Sequence, residues 1–158
     1  MTEKPTPEET ATWQRRLAGQ ANNRAWALSE AASRTPAQDQ EMLHAAHAAM
    51  HFWGIVGNEN QRSHAAQLLA HVHALLGLAG SATRYLAVSQ PVLLSGTAQP
   101  WELALAHAVA ANVAAANHDA VAHTSHYETA HSLTAKLPDP EDRKILEATL
   151  KILPKPRS

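Results

Sequence analysis

The sequence predicts an all-α protein built from antiparallel helical hairpins that stack side by side. Hydrophobic residues make up 45% of the 158 residues and aromatic residues only 4%. The apolar content is therefore mainly alanine and leucine, which favour helices more strongly than most residues do. Glycine and proline interrupt the chain at intervals that suit helices. No stretch shows the alternation of apolar and polar residues that is typical of a half-buried strand.

Seven helices follow from the apolar periodicity and the turn signals, each with ends uncertain by several residues. They are predicted at about 7–33, 37–56, 60–77, 80–94, 99–117, 119–136 and 139–150, with a break near Gly19 left open in the first. Thr35-Pro36 and Gln99-Pro100 place a proline near a first turn, and Pro138-Asp139-Pro140 ends one helix and caps the next. Because the turns are short, consecutive helices must pack antiparallel, which produces hairpins.

The length suits one domain with a single core. We expect a single helical domain over residues 1–158, with a disordered N-terminus at 1–6, a C-terminal capping helix at 139–150 and a tail at 151–158.

An internal repeat is indicated by the spacing of the predicted hairpin turns. Pro36, Gly77 and His118 are 41 residues apart each time. When the three units are superimposed, small or apolar residues recur where helices should touch. The matched sets are Leu28, Leu69 and Ala110; Ala25, Ala66 and His107; and Ala48, Ser89 and Ala130.

Within these units the pattern resembles the tetratricopeptide repeat (TPR). The middle unit carries Leu69, Gly77, Ala82 and Leu86 at the repeat positions, and the third carries Asp119, Tyr127 and Ala130. The usual repeat is about 34 residues, shorter than the 41 found here. The resemblance implies a short right-handed array in which the first helix of each hairpin lines a concave groove.

Residues 41–153 also resemble an uncharacterised family of bacterial proteins. The shared marks are Ala46-His47-Ala48-Ala49, Trp53-Gly54-Ile55-Val56-Gly57, Asn60-Gln61-Arg62, Val72-His73-Ala74-Leu75-Leu76-Gly77 and Glu141-Asp142-Arg143-Lys144-Ile145-Leu146. This resemblance supports the helical-repeat fold and implies no activity.

A partner groove follows from combining helix periodicity with the repeat register. In the middle unit His64, Gln67 and His71 face away from the apolar stripe of their helix. The 41-residue register adds two further sets, Asn23, Trp26 and Glu30 from the first unit and Leu105, Ala108 and Asn112 from the third. We therefore predict a protein-protein interaction or assembly module with a protein or peptide partner. Dimerisation through an uncapped end of the array stays open.

Composition argues against several other partners and compartments. The net charge of -1 gives no basic cluster for nucleic acid or anionic lipid. The chain has no cysteine, no run long enough to span a membrane and no signal-peptide pattern at its N-terminus. A cytoplasmic protein is expected, with no cofactor, no nucleic acid and no membrane among its partners.

Eleven histidines support one alternative function. His47, His123 and His126 would supply three imidazoles from two helices, as in small metal-dependent enzymes of the DinB type. Their pattern departs from that type, because His123 and His126 are spaced by three residues where four are expected. The competing interpretation is that His123 and His126 are core residues and that His44, His47 and His51 form a solvated face. We predict no catalytic or cofactor-binding residue, and an enzyme is the less favoured class.

Overall fold

The computed structural model describes residues 4–157, and within them the chain forms seven helices and no strand. These are α1 (Pro7–Ser29), α2 (Pro36–Val56), α3 (Glu59–Leu75), α4 (Ala79–Leu93), α5 (Pro100–Ala116), α6 (Ala120–Ala135) and α7 (Pro140–Ile152). The predicted all-α class and all seven helices are confirmed. The first helix runs through Gly19 without a break and ends at Ser29, earlier than predicted.

The predicted segments at the chain ends fall partly outside the described residues. Residues 1–3 of the expected disordered segment and residue 158 of the expected tail are among those not described. Thr6 is the N-cap of α1, and the capping helix continues through Ile152, two residues into the predicted tail.

Local capping chemistry explains where the helices begin. Reciprocal side-chain and backbone hydrogen bonds form capping boxes between Thr6 and Glu9 and between Thr35 and Gln38. A third capping box, from Asn58, starts α3. Each box satisfies backbone N–H groups that have no partner inside the helix. Prolines open α1, α2, α5 and α7, where a missing N–H costs nothing.

Two of the three hairpin turns have the same backbone conformation. Gly77 and His118, which are 41 residues apart, both adopt a left-handed conformation, with φ of 73° and 59°. After each, a backbone N–H reaches back across the turn, from Leu78 to the His73 carbonyl and from Asp119 to the Ala114 carbonyl. This pattern satisfies the last carbonyls of α3 and α5 and reverses the chain. The turn between α1 and α2 is longer and contains no left-handed residue.

The helices pack as three hairpins, α1 with α2, α3 with α4, and α5 with α6. The first helices of successive hairpins also pack on one another, and α7 continues this row by packing on α5 and α6. We call α1, α3, α5 and α7 the inner helices. The repeat positions at Leu28, Leu69 and Ala110 are all buried. Within the described part of the chain, no helix has the length and apolar character needed to cross a membrane.

Candidate functional site

The predicted groove residues lie along the inner helices, but most of them are not open to solvent. Asn23 is exposed, and Trp26, Glu30 and His64 are half-buried. The other five are buried, namely Gln67, His71, Leu105, Ala108 and Asn112. The expectation of an open groove is therefore wrong for these five positions. Helix periodicity identifies the side of α3 that faces away from its core stripe, but it does not reveal what a neighbouring helix places over that side.

Side chains from both neighbouring inner helices cover His71. The Trp26 ring of α1 stacks against the His71 ring, with 5.2 Å between centroids. From α5, the Asn112 amide donates to His71 Nδ1 at 3.1 Å and to the His71 carbonyl at 3.3 Å. Burial, with a smaller contribution from the positive charge of Arg34, lowers the pKa of His71 to about 4. His71 is thus a neutral imidazole that joins three inner helices.

Gln67, one turn before His71, is 1% exposed, and neither polar atom of its amide has a hydrogen-bond partner among the described residues. Burying an amide without hydrogen bonds lowers the free energy of unfolding.

One hydrogen bond links the last inner helix to the end of the first. The Thr149 hydroxyl of α7 lies 3.4 Å from a Glu30 carboxylate oxygen at the end of α1, as a donor to it. Burial raises the pKa of Glu30, although the Thr149 hydrogen bond opposes that change. Leu146 of α7 belongs to the apolar cluster that contains Ala70 of α3 and Leu105 of α5. Side chains of α7 therefore reach both the end of α1 and the apolar cluster of α3 and α5, which includes the predicted groove residue Leu105.

His64 is half-buried and forms a separate polar site. Its Nε2–H donates to a Glu102 carboxylate oxygen at 2.8 Å, and its ring stacks on Trp101 with 5.4 Å between centroids. Burial alone would raise the pKa of Glu102. Hydrogen bonds from His64, the Gln99 backbone and Asn60 outweigh that effect, so the pKa of Glu102 is lowered. The carboxylate also sits in the first turn of α5, where the helix dipole favours negative charge.

The three histidines of the metal alternative are not brought together. His47 contacts the rings of His73 and Tyr85, and His123 donates from Nε2 to the Pro154 carbonyl at 2.9 Å. His126 pairs instead with His107. Among the described residues, no group of three or more His, Asp or Glu is arranged to share one metal ion. The geometry therefore gives no support to the DinB-like three-histidine site.

The pair of His107 and His126 was missed as a unit by the sequence reasoning. Their Nδ1 atoms lie 2.9 Å apart across α5 and α6, and both rings are half-buried. Burial lowers the pKa of both imidazoles; the neighbouring ring adds to this effect at His107, whereas Asp119 opposes it at His126. One feature of the sequence could have pointed to this pair. His107 occupies a repeat position that holds alanine in the other two units, at Ala25 and Ala66.

A cavity of about 440 Å³ lies where the C-terminal tail crosses the turn between α5 and α6. It is lined by Asn112, His118, Asp119 and His123 and by tail residues 154–157. Its lining mixes charges of both signs with apolar atoms and does not define one class of ligand.

The first hairpin carries several exposed apolar side chains. Trp13 is 60% exposed, Leu17 42% and Ile55 54%, and Phe52 beside them is half-buried. We call these four residues the first-hairpin face.

Helix periodicity, counted from an ion pair, places the four side chains on one side of the hairpin. Arg24 of α1 forms a bidentate salt bridge with Glu41 of α2, with N···O distances of 2.6 and 2.9 Å. In an antiparallel pair of helices, equal steps away from such a contact stay opposite each other. Eleven residues, about three turns, lead from Arg24 back to Trp13 and from Glu41 on to Phe52. Leu17 and Ile55 fall on the same stripes of their helices.

No protein-family model, curated protein or solved structure matches this chain.

Proposed function

We propose that this chain is a protein-interaction or assembly module of the TPR-like class, and that it binds a protein partner through the first-hairpin face. The observation that carries the proposal is the exposure of Trp13, Leu17 and Ile55, which helix periodicity places on the side of the hairpin that holds the Arg24–Glu41 ion pair. Apolar side chains that cluster on a surface in this way mark interaction sites more often than isolated ones do. The cytoplasmic location expected from the sequence remains part of the proposal.

The residue types on this face favour a protein partner. Tryptophan and arginine are enriched among the residues that contribute most to protein–protein binding. Here the Arg16 guanidinium lies over the Trp13 ring, 5.4 Å from its centroid. This arrangement offers an apolar surface with a cation at its edge. A partner that presents an apolar helix or loop with an acidic rim would complement it.

The first-hairpin face has an advantage over the predicted groove as a binding surface. A partner for Gln67, His71 and Asn112 would first have to separate inner helices that pack together, and that separation costs free energy of folding. The first-hairpin face needs no such opening. A second copy of this chain is the other candidate occupant, because an uncapped array end also favours self-association.

Site-specific photo-crosslinking tests the proposal. A photoreactive amino acid replaces Trp13 or Ile55 in the full chain, in cells that naturally make it, and replaces the exposed Glu147 of α7 as a matched control. We expect the same crosslinked protein from Trp13 and Ile55 and none from Glu147. The crosslink should also disappear when Leu17→Ser is added, since this change removes apolar surface without touching either probe.

The identity of the crosslinked chain separates the two occupants. A different protein supports a binding module, and a second copy supports assembly. Failure of both face positions to crosslink, or an equal pattern from Glu147, would remove the basis for the proposal.

A further inference from the structure

The imidazole rings of His107 and His126 face each other across α5 and α6. Both rings present the Nδ1 atom to the other, at 2.9 Å, with ring planes inclined by 40°. Two neutral imidazoles in this arrangement share a single hydrogen, so one ring donates and the other accepts. Both nitrogens thus point into the same small space between α5 and α6.

The separation of the two nitrogens equals that of neighbouring ligands on one metal ion. Imidazole nitrogens bind first-row metals at about 2.0–2.1 Å, so two of them at 90° on one ion are about 2.9 Å apart. A tetrahedral angle would require about 3.4 Å. Ligands at 90° are typical of the square-planar and tetragonal sites of Cu(II) and Ni(II).

We propose that His107 and His126 form a two-histidine chelate for a divalent transition metal that prefers 90° ligand angles, with Cu(II) the best fit. The ring that donates in the metal-free protein moves its hydrogen from Nδ1 to Nε2. Both Nδ1 atoms are then free to bind, and no net proton is released. The ion bridges α5 and α6, and its remaining coordination positions are open to water or to another molecule.

Two features of the chain support this assignment. At the equivalent places in the other units, Ala25 and Ala66 correspond to His107, and His44 and Tyr85 correspond to His126, so only the third unit combines the two imidazoles. The half-buried position admits a small ion while limiting the access of water.

This pair differs from the three-histidine alternative of the sequence analysis. It uses His107, which that alternative did not include, and it needs neither His47 nor His123.

Copper titration of the full chain, prepared without a histidine tag, tests the proposal. His47 and His51 lie one helical turn apart on an exposed stretch of α2 and form a competing pair, so both are first changed to Asn. In this background, Cu(II) binding is measured by calorimetry, and bound nitrogens are counted by electron paramagnetic resonance. We expect one site with two imidazole nitrogens.

The decisive variants are His107→Ala and His126→Asn, made separately in the same background. Loss of an outer partner of a metal ligand already weakens binding by about 10–100-fold, so loss of a ligand should weaken this site by at least about tenfold. His118→Asn in the α5–α6 turn is the matched control and should leave the affinity unchanged. Alanine is native to this repeat position at Ala25 and Ala66, which favours a folded His107→Ala protein.

Circular dichroism without metal confirms folding, and His126→Asn provides the same test should His107→Ala be unstable. Unchanged affinity and nitrogen count in either folded variant would overturn the proposal, as would the absence of a two-nitrogen site in the background protein. The pair would then be only a hydrogen bond between two imidazoles.

Discussion

The inner side of the array and the first-hairpin face are opposite in both polarity and burial. On the inner side, the polar residues Gln67, His71 and Asn112 are at most 2% exposed. On the first-hairpin face, Trp13 and Ile55 are more than half exposed. Residue type alone would have assigned the first set to a binding surface and the second to the core.

The difference follows from the number of helices that surround each position. α3 packs against α1, α2, α4 and α5, so little of its circumference is left for solvent. α1 packs along its length only against α2 and α3, with one hydrogen bond from α7 at its end, and no hairpin precedes it among the described residues. In a stacked array, middle helices are buried on several sides and end helices are not. Place in the stack therefore outweighs polarity in deciding what is exposed.

The largest loss of stability is expected where α7 packs on the inner side. Leu146 is 1% exposed in the cluster shared with α3 and α5, so Leu146→Ala should cost about 2–5 kcal/mol of unfolding free energy. Its neighbour Ile145 is 58% exposed, and Ile145→Ala should change stability by less than about 0.5 kcal/mol. Urea denaturation of both variants measures the difference. Similar losses would show that α7 does not pack as described.

Acidification tests whether His71 is truly enclosed. Its folded pKa of about 4 lies below the ordinary 6.5, so between these values the unfolded chain binds the proton and the folded chain does not. Stability supplied by the neutral ring should be present above pH 6.5 and fall as the pH approaches 4, by about 3 kcal/mol.

The His71→Gln protein is the reference for this titration. His47, His107 and His126 also have lowered pKa values and are present in both proteins, so their contribution cancels. Unfolding free energies measured from pH 7 to 4 should fall more steeply in the unsubstituted protein. Equal slopes would place His71 in contact with water.

A gain in stability is expected when Gln67 on the inner side is replaced. Its buried amide lacks a partner among the described residues, so Gln67→Met should stabilise the fold by about 1–2 kcal/mol. The exposed Gln20 of α1 is the control, and Gln20→Met should change the melting temperature little. Destabilisation by Gln67→Met would mean that the amide makes an interaction essential to the inner side.

The smallest effect is expected at the first-hairpin face. Trp13→Ala removes a largely exposed ring and its contact with Arg16, so it should cost less than about 0.5 kcal/mol. Trp26→Ala, which removes the ring stacked on His71, should cost several times more. Thermal denaturation of the two proteins compares the exposed Trp13 with the half-buried Trp26 directly. A large loss from Trp13→Ala would give this residue a structural role and weaken its assignment to binding.

Local chemistry made much of this fold predictable. The capping boxes at Thr35 and Asn58, the prolines in first turns and the left-handed Gly77 act within a few residues of sequence, so each boundary could be placed to within a few positions. The 41-residue spacing likewise located two equivalent turns. The candidate site was less predictable, because burial of His71 depends on Trp26 and Asn112, which are 45 and 41 residues away.

The helices, their antiparallel pairing and the residues on each helical stripe can be read from the amino-acid sequence, because short turns and apolar periodicity act along the chain. Which stripes face water depends on how the helices pack. The packing of the inner helices brings Thr149 to Glu30, and the register between α5 and α6 brings His107 to His126. Both contacts depend on the packing angles of whole helices. Many side-chain contacts together set these angles, so no single sequence motif predicts them.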